Sequence, residues 1–363
     1  MKRAGLAIVL LALAWAPASL ADIPQLVMDR LAELPAERAT PDQLNQAADN
    51  ALSQWRAASP ETAARLAEAA ARSAHRAGRS AEALEAARAV LGTAGVDPSL
   101  EANARLILAL ETFATDTSTE AQLVQALEGS SGAHPVLRAR AARALAIAHM
   151  RRDEQEAAIA RWRQSEAAAA DISNERTYDY EVALIGRAAS HAYRGESREG
   201  AEAVETVLER MRNDMARLSP AREMTSGEQV YVNAVVWRSA LSIHRAEVSR
   251  DWSYVGVGTA TRDEAGRPLC RGDFRFRPRP HFPIGAVFGR WSGASVLRLA
   301  TDAEGRVIHA ESVAAVPPTP LFSRVTLDVA PEWRFIPDED ETPGVTCRLQ
   351  AEGWLVNWRF ESR

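Results

Sequence analysis

Three short segments of this chain read as the same tight turn between two helices, and a repeated turn constrains a fold more than any single motif does. They are Gly78-Arg79-Ser80-Ala81-Glu82-Ala83-Leu84, Arg152-Asp153-Glu154-Gln155-Glu156-Ala157-Ala158 and Gly195-Glu196-Ser197-Arg198-Glu199-Gly200-Ala201. Each follows a helix rich in small residues and precedes an amphipathic one. Aligned on the turns, Ala83, Ala157 and Gly200 fall at one equivalent position, where a small side chain lets paired helices approach closely. The gap between the first two turns has room for a further, degenerate pair over roughly Leu100–Gly129. Residues 22 to about 250 are rich in Ala, Arg, Glu and Leu, with Gly and Pro largely confined to breaks. This composition and period predict a stack of helices forming a superhelical repeat domain, with an irregular helical bundle as the alternative. Thr40-Pro41-Asp42 and Ser59-Pro60-Glu61 each offer a cap residue followed by proline, the pattern of a helix start. Glu228 to Arg250 is predicted as a last helix that closes the stack. Val232, Val236, Ala240 and Ile243 share a face, but Val230, Val235 and Leu241 lie off it, so burial on more than one side is expected.

From Asp251 the composition changes. Gly, Pro, Phe, Trp and Val rise and the helical period stops. Residues 251–280 are predicted as a connector, with a turn at Asp263-Glu264-Ala265-Gly266. Its Arg275, Arg277 and Arg279 alternate with Phe274, Phe276 and Pro278, as in an exposed strand or extended arm. Residues 281–363 read as a small α+β domain. Ser295–Ala300 and Arg306–Val313 form a hairpin around Asp302-Ala303-Glu304-Gly305, Thr319–Pro331 holds a short helix, and Val345–Leu349 and Trp354–Phe360 close the sheet. In the last strand Trp354, Val356, Trp358 and Phe360 fall on one face. The predicted fold class is therefore α + (α+β), in two domains, which suits a length of 363 residues.

The N-terminus has the three parts of a secretory signal: Lys2-Arg3, the apolar run Ala4–Ala16, and Ser19-Leu20-Ala21. Residues 1–21 are predicted to be removed before Asp22, which places the mature chain in the periplasm. The run of about 13 apolar residues is shorter than the ~20 that span a bilayer; an uncleaved anchor is the alternative. In an oxidising compartment the two cysteines, Cys270 and Cys347, are predicted to pair, with two buried thiols as the alternative. A bridge closes a loop of roughly 77 residues and stabilises by about 4–5 kcal/mol. The net charge is −5, and the only lysine is Lys2. This acidity argues against nucleic-acid binding, and loss of Lys2 removes lysine Schiff-base chemistry.

Catalytic patterns are weak. Gly289-Arg290-Trp291-Ser292-Gly293 has its serine one place too late for a hydrolase elbow. The seven histidines show no metal-ligand spacing. Asp338-Glu339-Asp340-Glu341 reads as a solvated acidic loop. No enzyme activity, metal or cofactor is expected.

Two resemblances sharpen the reading. The helix pairs, most clearly Ala70–Pro98, resemble tetratricopeptide repeats. Phe282-Pro283, Ala286, Gly293, Asp302, Gly305, Val307, Phe322 and the run Trp333-Arg334-Phe335-Ile336-Pro337 together resemble the C-terminal domain of TonB-family proteins. That resemblance implies a peptide-binding module that adds a partner strand to a sheet edge, the partner being the TonB box of an outer-membrane transporter. It implies a peptide surface at His281, Phe282 and Pro283 and on the closing strand at Trp354, Val356, Trp358 and Phe360. Trp333 and Phe335 are assigned to the core. The family's energy transducers carry an N-terminal anchor with a histidine and a long Pro-rich spacer. Here residues 1–21 contain no histidine, and helical repeats replace the spacer. A periplasmic protein–protein interaction adaptor is the expectation. A membrane-anchored transducer and an envelope hydrolase are the alternatives.

Overall fold

The computed structural model describes residues 23–170, 172, 177–211, 224–242, 255–256, 269–270, 272–289, 292–337, 348–349 and 354–360. The chain divides into two compact units, Leu31–Ala203 and Val204–Arg363, the second together with Met1–Arg30. The predicted signal segment 1–21, the turns at 263–266 and 351–353, the acidic loop 338–341 and Cys347 lie outside the described residues. Among the described residues no helix is long and apolar enough to cross a membrane.

The first unit is helical. After α1 (Ile23–Glu33), which straddles the boundary, come α2 (Pro41–Arg56), α3 (Ala63–Arg76), α4 (Ser80–Leu91), α5 (Pro98–Thr115), α6 (Glu120–Glu128), α7 (Pro135–Arg151), α8 (Gln155–Ala170), α9 (Asp179–Tyr193) and α10 (Ser197–Met211), the last of which also crosses the boundary. The predicted start at Thr40 is present as a capping box. The Gln43 amide donates to the Thr40 hydroxyl at 3.3 Å, the Gln43 side chain accepts from the Thr40 amide at 3.0 Å, and Pro41 opens the helix. The second predicted start is displaced. Ser59-Pro60-Glu61 forms a turn in which the Thr62 amide donates to the Ser59 carbonyl at 3.0 Å, and α3 begins at Ala63. Proline's fixed φ suits the second position of a turn as well as a first helical turn, so the dipeptide alone did not separate the two.

The degenerate pair is present as α5 and α6. The three recognised turns place one residue each in the left-handed region: Gly78 (φ 71°), Asp153 (φ 60°) and Gly195 (φ 74°). This puts the three turns in a common register. The first amides of the following helices donate from Ala83 to Arg79, from Ala158 to Glu154 and from Gly200 to Glu196. Ala158, and not Ala157, is therefore the equivalent of Ala83 and Gly200. The one-residue correction arises because Asp153 takes the strained conformation, which Asp tolerates better than most side chains, and not Arg152. Successive first helices touch, α3 to α5, α5 to α7 and α7 to α9, while α4 packs on α5, α6 on α7 and α8 on α9.

The contact of α8 with α9 is unusually close at one point. Trp162 is fully buried, and a Cβ at Gly186 would overlap its indole ring. Gly186→Ala is expected to cost about 1–3 kcal/mol through overpacking, read as a lower urea midpoint by helical circular dichroism.

The second unit contains α11 (Ser226–Ser242), β1 (Val255–Gly256), β2 (Leu269–Cys270), β3 (Gly272–Phe276), α12 (Ile284–Gly289), β4 (Gly293–Thr301), β5 (Val307–Val316), α13 (Pro320–Val329), β6 (Arg334–Pro337), β7 (Arg348–Leu349) and β8 (Trp354–Phe360). The predicted hairpin, helix and closing strand are β4–β5, α13 and β8. The main sheet has the order β1-β8-β4-β5, all antiparallel, beside two small ladders, β3 with β6 and β2 with β7. One sheet face packs on α13 and on Trp333 and Phe335, with Leu297, Leu299, Val356 and Phe322 buried between.

Two expectations change here. The helix predicted to close the repeat stack, α11, packs on β4, β5 and β8 of the sheet. The Asn357 amide of β8 donates to the Ser239 hydroxyl of α11. The helix is buried almost all round, at Val230, Val232, Ala234, Val235, Val236 and Leu241, as its apolar pattern predicted; only its partner differs. The alternating arm at 274–279 is also no free connector. Phe274 lies against Phe335 (4.4 Å between centroids) and edge-on to Trp333 (5.7 Å), and the Trp333 indole N–H donates to the Pro278 carbonyl at 3.2 Å. Of the apolar half of the alternation Phe274 finds the core, Phe276 stays 55% exposed, and Arg275 and Arg279 are exposed as well.

Candidate functional site

Strand addition needs a sheet edge with open main-chain groups. The order of the main sheet puts β8 inside it. β8 pairs with β4 along its whole length and with β1 at Trp354 and Leu355. Its side chains are spoken for as well. Val356 and Phe360 are 0% and 3% exposed. Trp358 stacks on Trp333 with centroids 6.1 Å apart, and the Arg277 guanidinium lies 5.0 Å from its ring. At the opening segment Pro283 is buried, and Phe282 is half-buried against Phe322 and Phe360. Of the residues expected on a peptide surface, Phe282, Pro283, Val356, Trp358 and Phe360 thus serve the core. His281 is exposed, and the Trp354 side chain lies outside the described residues. The physical reason is that the period-2 stripe of a closing strand is the stripe the core itself needs. Among the described residues β5 pairs only with β4, and its Ile308 is 67% exposed. Cys270 sits in β2, whose residue Leu269 is the register partner of Arg348; the expected pairing with Cys347 lies outside the described residues.

A second constellation, in the helical unit, was not anticipated. The inner helices α3, α5 and α7 line a groove of about 430 Å³, and the chain between α1 and α2 forms its remaining wall. That segment, Leu34-Pro35-Ala36-Glu37-Arg38, is held at several points. The Arg143 guanidinium donates to the carbonyls of Leu31, Ala32 and Leu34 at 2.7, 2.8 and 2.9 Å, satisfying the orphan acceptors at the end of α1. The Ala36 carbonyl accepts from the Tyr178 amide at 2.7 Å, and Glu37 forms a single antiparallel bridge with Thr177. Arg76 grips the Glu37 carboxylate through both oxygens, at 2.9 and 2.6 Å, and Arg140 donates to it as well. Arg140 also reaches Asp179 at 3.4 Å, and Arg38 lies over the Tyr178 ring at 4.5 Å. Further along the groove His75 Nδ1 and Glu111 Oε1, 2.6 Å apart, join α3 to α5. Leu110, Phe113, Ala114, Ala144 and Ile147 supply an apolar lining.

The electrostatics follow from burial opposed by close partners. Burial raises the Glu37 pKa, but Arg76 and Arg140 outweigh it and hold the group below the usual carboxylate range. Glu111 is likewise pushed up by burial and pulled below its ordinary value by His75 and Ser80. Burial brings Arg143 down to about 10, so it remains charged at neutral pH. The site is therefore a fork of guanidinium groups around the Glu37 carboxylate and an extended main chain, with Asp179 on the far side of Arg140. Such geometry recognises planar anions in two-pronged fashion.

No sequence spacing announces a contact between Glu37 and Arg140, which are 103 residues apart. A weaker signal was available. Arg140 and Arg143 stand among Ala139, Ala141, Ala142, Leu145 and Ala146, on a helix whose other inner positions are small or apolar. Charges at such positions need partners from elsewhere in the fold.

Comparison of the chain with family models, with curated proteins and with solved structures returns no match.

Proposed function

We propose that this protein is an exported interaction adaptor made of a tetratricopeptide-like superhelical module and a TonB-C-like module, each of which binds extended peptide. One observation supports the reading above others: the inner helices already hold an extended stretch of main chain and its carboxylate, through Arg143, Arg76 and Arg140. A surface built to grip a backbone and an acid is built for recognition more than for bond-breaking. In the C-terminal module partner strands add to the main chain of the sheet edge, with β5 as the long edge, and the core aromatics stay in the core. Outer-membrane transporters that carry a TonB box are the proposed partners of this second module.

Titration of the ¹⁵N-labelled full chain with a TonB-box peptide tests the second module. Shifts of main-chain amides along β5 or β8 at submillimolar peptide are the expected result. Unchanged amides throughout the sheet at millimolar peptide would remove strand addition from the proposal.

A further inference from the structure

The chain's own Leu34–Arg38 occupies the place where a partner of the helical groove is to be sought, and its contacts describe that partner. We infer that the groove accepts an extended acidic peptide, with an apolar anchor three residues before a carboxylate, and that it binds by displacing this resident segment. The inference rests on the reading of the groove as a peptide site and names its ligand class and its competitor.

The resident segment has two anchors. Leu34 is buried at 4% exposure, and Glu37 sits in the fork of Arg76 and Arg140. Between them Pro35 lacks an amide donor and is pre-set for extended backbone, so little conformational freedom is lost on docking. The main-chain contacts, carbonyls to Arg143 and the Tyr178 amide, do not depend on side-chain identity. Any chain with an apolar residue and an acid at this spacing meets the same contacts.

Charge favours an acid at the second anchor. Three guanidiniums, of Arg76, Arg140 and Arg143, face two carboxylates, Glu37 and Asp179. Without Glu37 the Arg76 and Arg140 guanidiniums lose the carboxylate they share, and a partner carboxylate in that place restores both contacts. The open part of the groove, beside Phe113 and Ile147, leaves space for the flanking side chains of a longer ligand.

The probe is a synthetic peptide of sequence LAELPAERA, blocked at both ends and fluorescently labelled, titrated into full-length protein. Glu37→Gln weakens the resident segment's hold, so this variant is expected to bind the probe at least tenfold more tightly than wild type. A probe with Gln in place of its second Glu, the one that matches Glu37, should lose that binding. Where Glu37→Gln fails to give a native circular-dichroism spectrum, Leu34→Ala makes the same comparison through the other anchor. Equal binding to wild type and variant, or binding that ignores the probe's second Glu, overturns the inference. If TonB-box peptide binds while the acidic probe does not, the inference fails and the adaptor reading stands. If neither peptide binds any form, both fail.

Discussion

Arg140→Ala is expected to lower the stability of the helical unit by about 3–5 kcal/mol, because it removes the common partner of two buried carboxylates. The side chains of Arg140, Glu37 and Asp179 are 15%, 11% and 2% exposed. Their attraction in the native state offsets the cost of taking them out of water. Deleting the arginine takes from Asp179 its contact at 3.4 Å, leaving the charge of Arg143 near it, and takes from Glu37 one of its two arginines. Urea unfolding followed by helical circular dichroism measures the loss. The double variant Arg140→Met with Glu37→Gln should lose less than the sum of the two single variants, since the two sites are coupled directly. An additive result would mean that the pair contributes little, whatever its geometry.

The same cluster makes stability depend on acid. Glu37 and Glu111 have pKa values held below the usual range in the folded protein. In the unfolded chain they titrate near the ordinary carboxylate value of about 4.3. Their contribution is therefore complete above that value and is lost as pH falls through the lower, folded-state values. Wild type should lose stability below about pH 4, and Glu37→Gln should show a shallower loss over that interval.

Gly305→Ala is the second large effect and belongs to the C-terminal unit. Gly305 has φ 74°, and an added Cβ would collide with the Phe335 carbonyl. The Gly305 carbonyl also accepts from the Phe335 amide at 2.8 Å, fastening the β4–β5 turn to the strand that carries the core aromatics. The left-handed conformation costs an L-residue about 1–2 kcal/mol, and the displaced hydrogen bond adds about 1 kcal/mol. With the steric overlap the total is expected to reach about 3 kcal/mol or more. Near-UV circular dichroism of the aromatic core should report the loss, while far-UV helical signal persists. A variant that melts as wild type does would mean that the turn can move away from β6.

This glycine shows how much of the C-terminal fold was legible. Gly305 was marked as a turn residue, and Trp333 and Phe335 as core, from residue type and spacing alone; the structure places all three in one contact set. The hairpin, α13 and β8 were likewise readable, because strand period and the presence of a short helix are local properties. The candidate peptide surface on β8 was not. Period 2 shows which residues share a face but not what covers that face, and here α13 and the Trp333 layer cover it. The other face of β8 meets α11, a helix whose apolar pattern spoke for burial without naming the partner.

In the helical unit the sequence by itself determined the helices, the turns and their recurrence, since capping, left-handed turn residues and apolar period are written within a few residues of where they act. It did so with a slip of one residue at Asp153, where the left-handed position is taken by a residue other than glycine, and with a helix start read at Pro60 that lies at Ala63. Only the tertiary structure decided that Arg76, Arg140 and Arg143 converge on Glu37 and the end of α1. These groups come from three separate segments, and burial gives their charges a partner that no local rule anticipates. The recurring turn was thus a property of the chain, while the groove is a property of the packing.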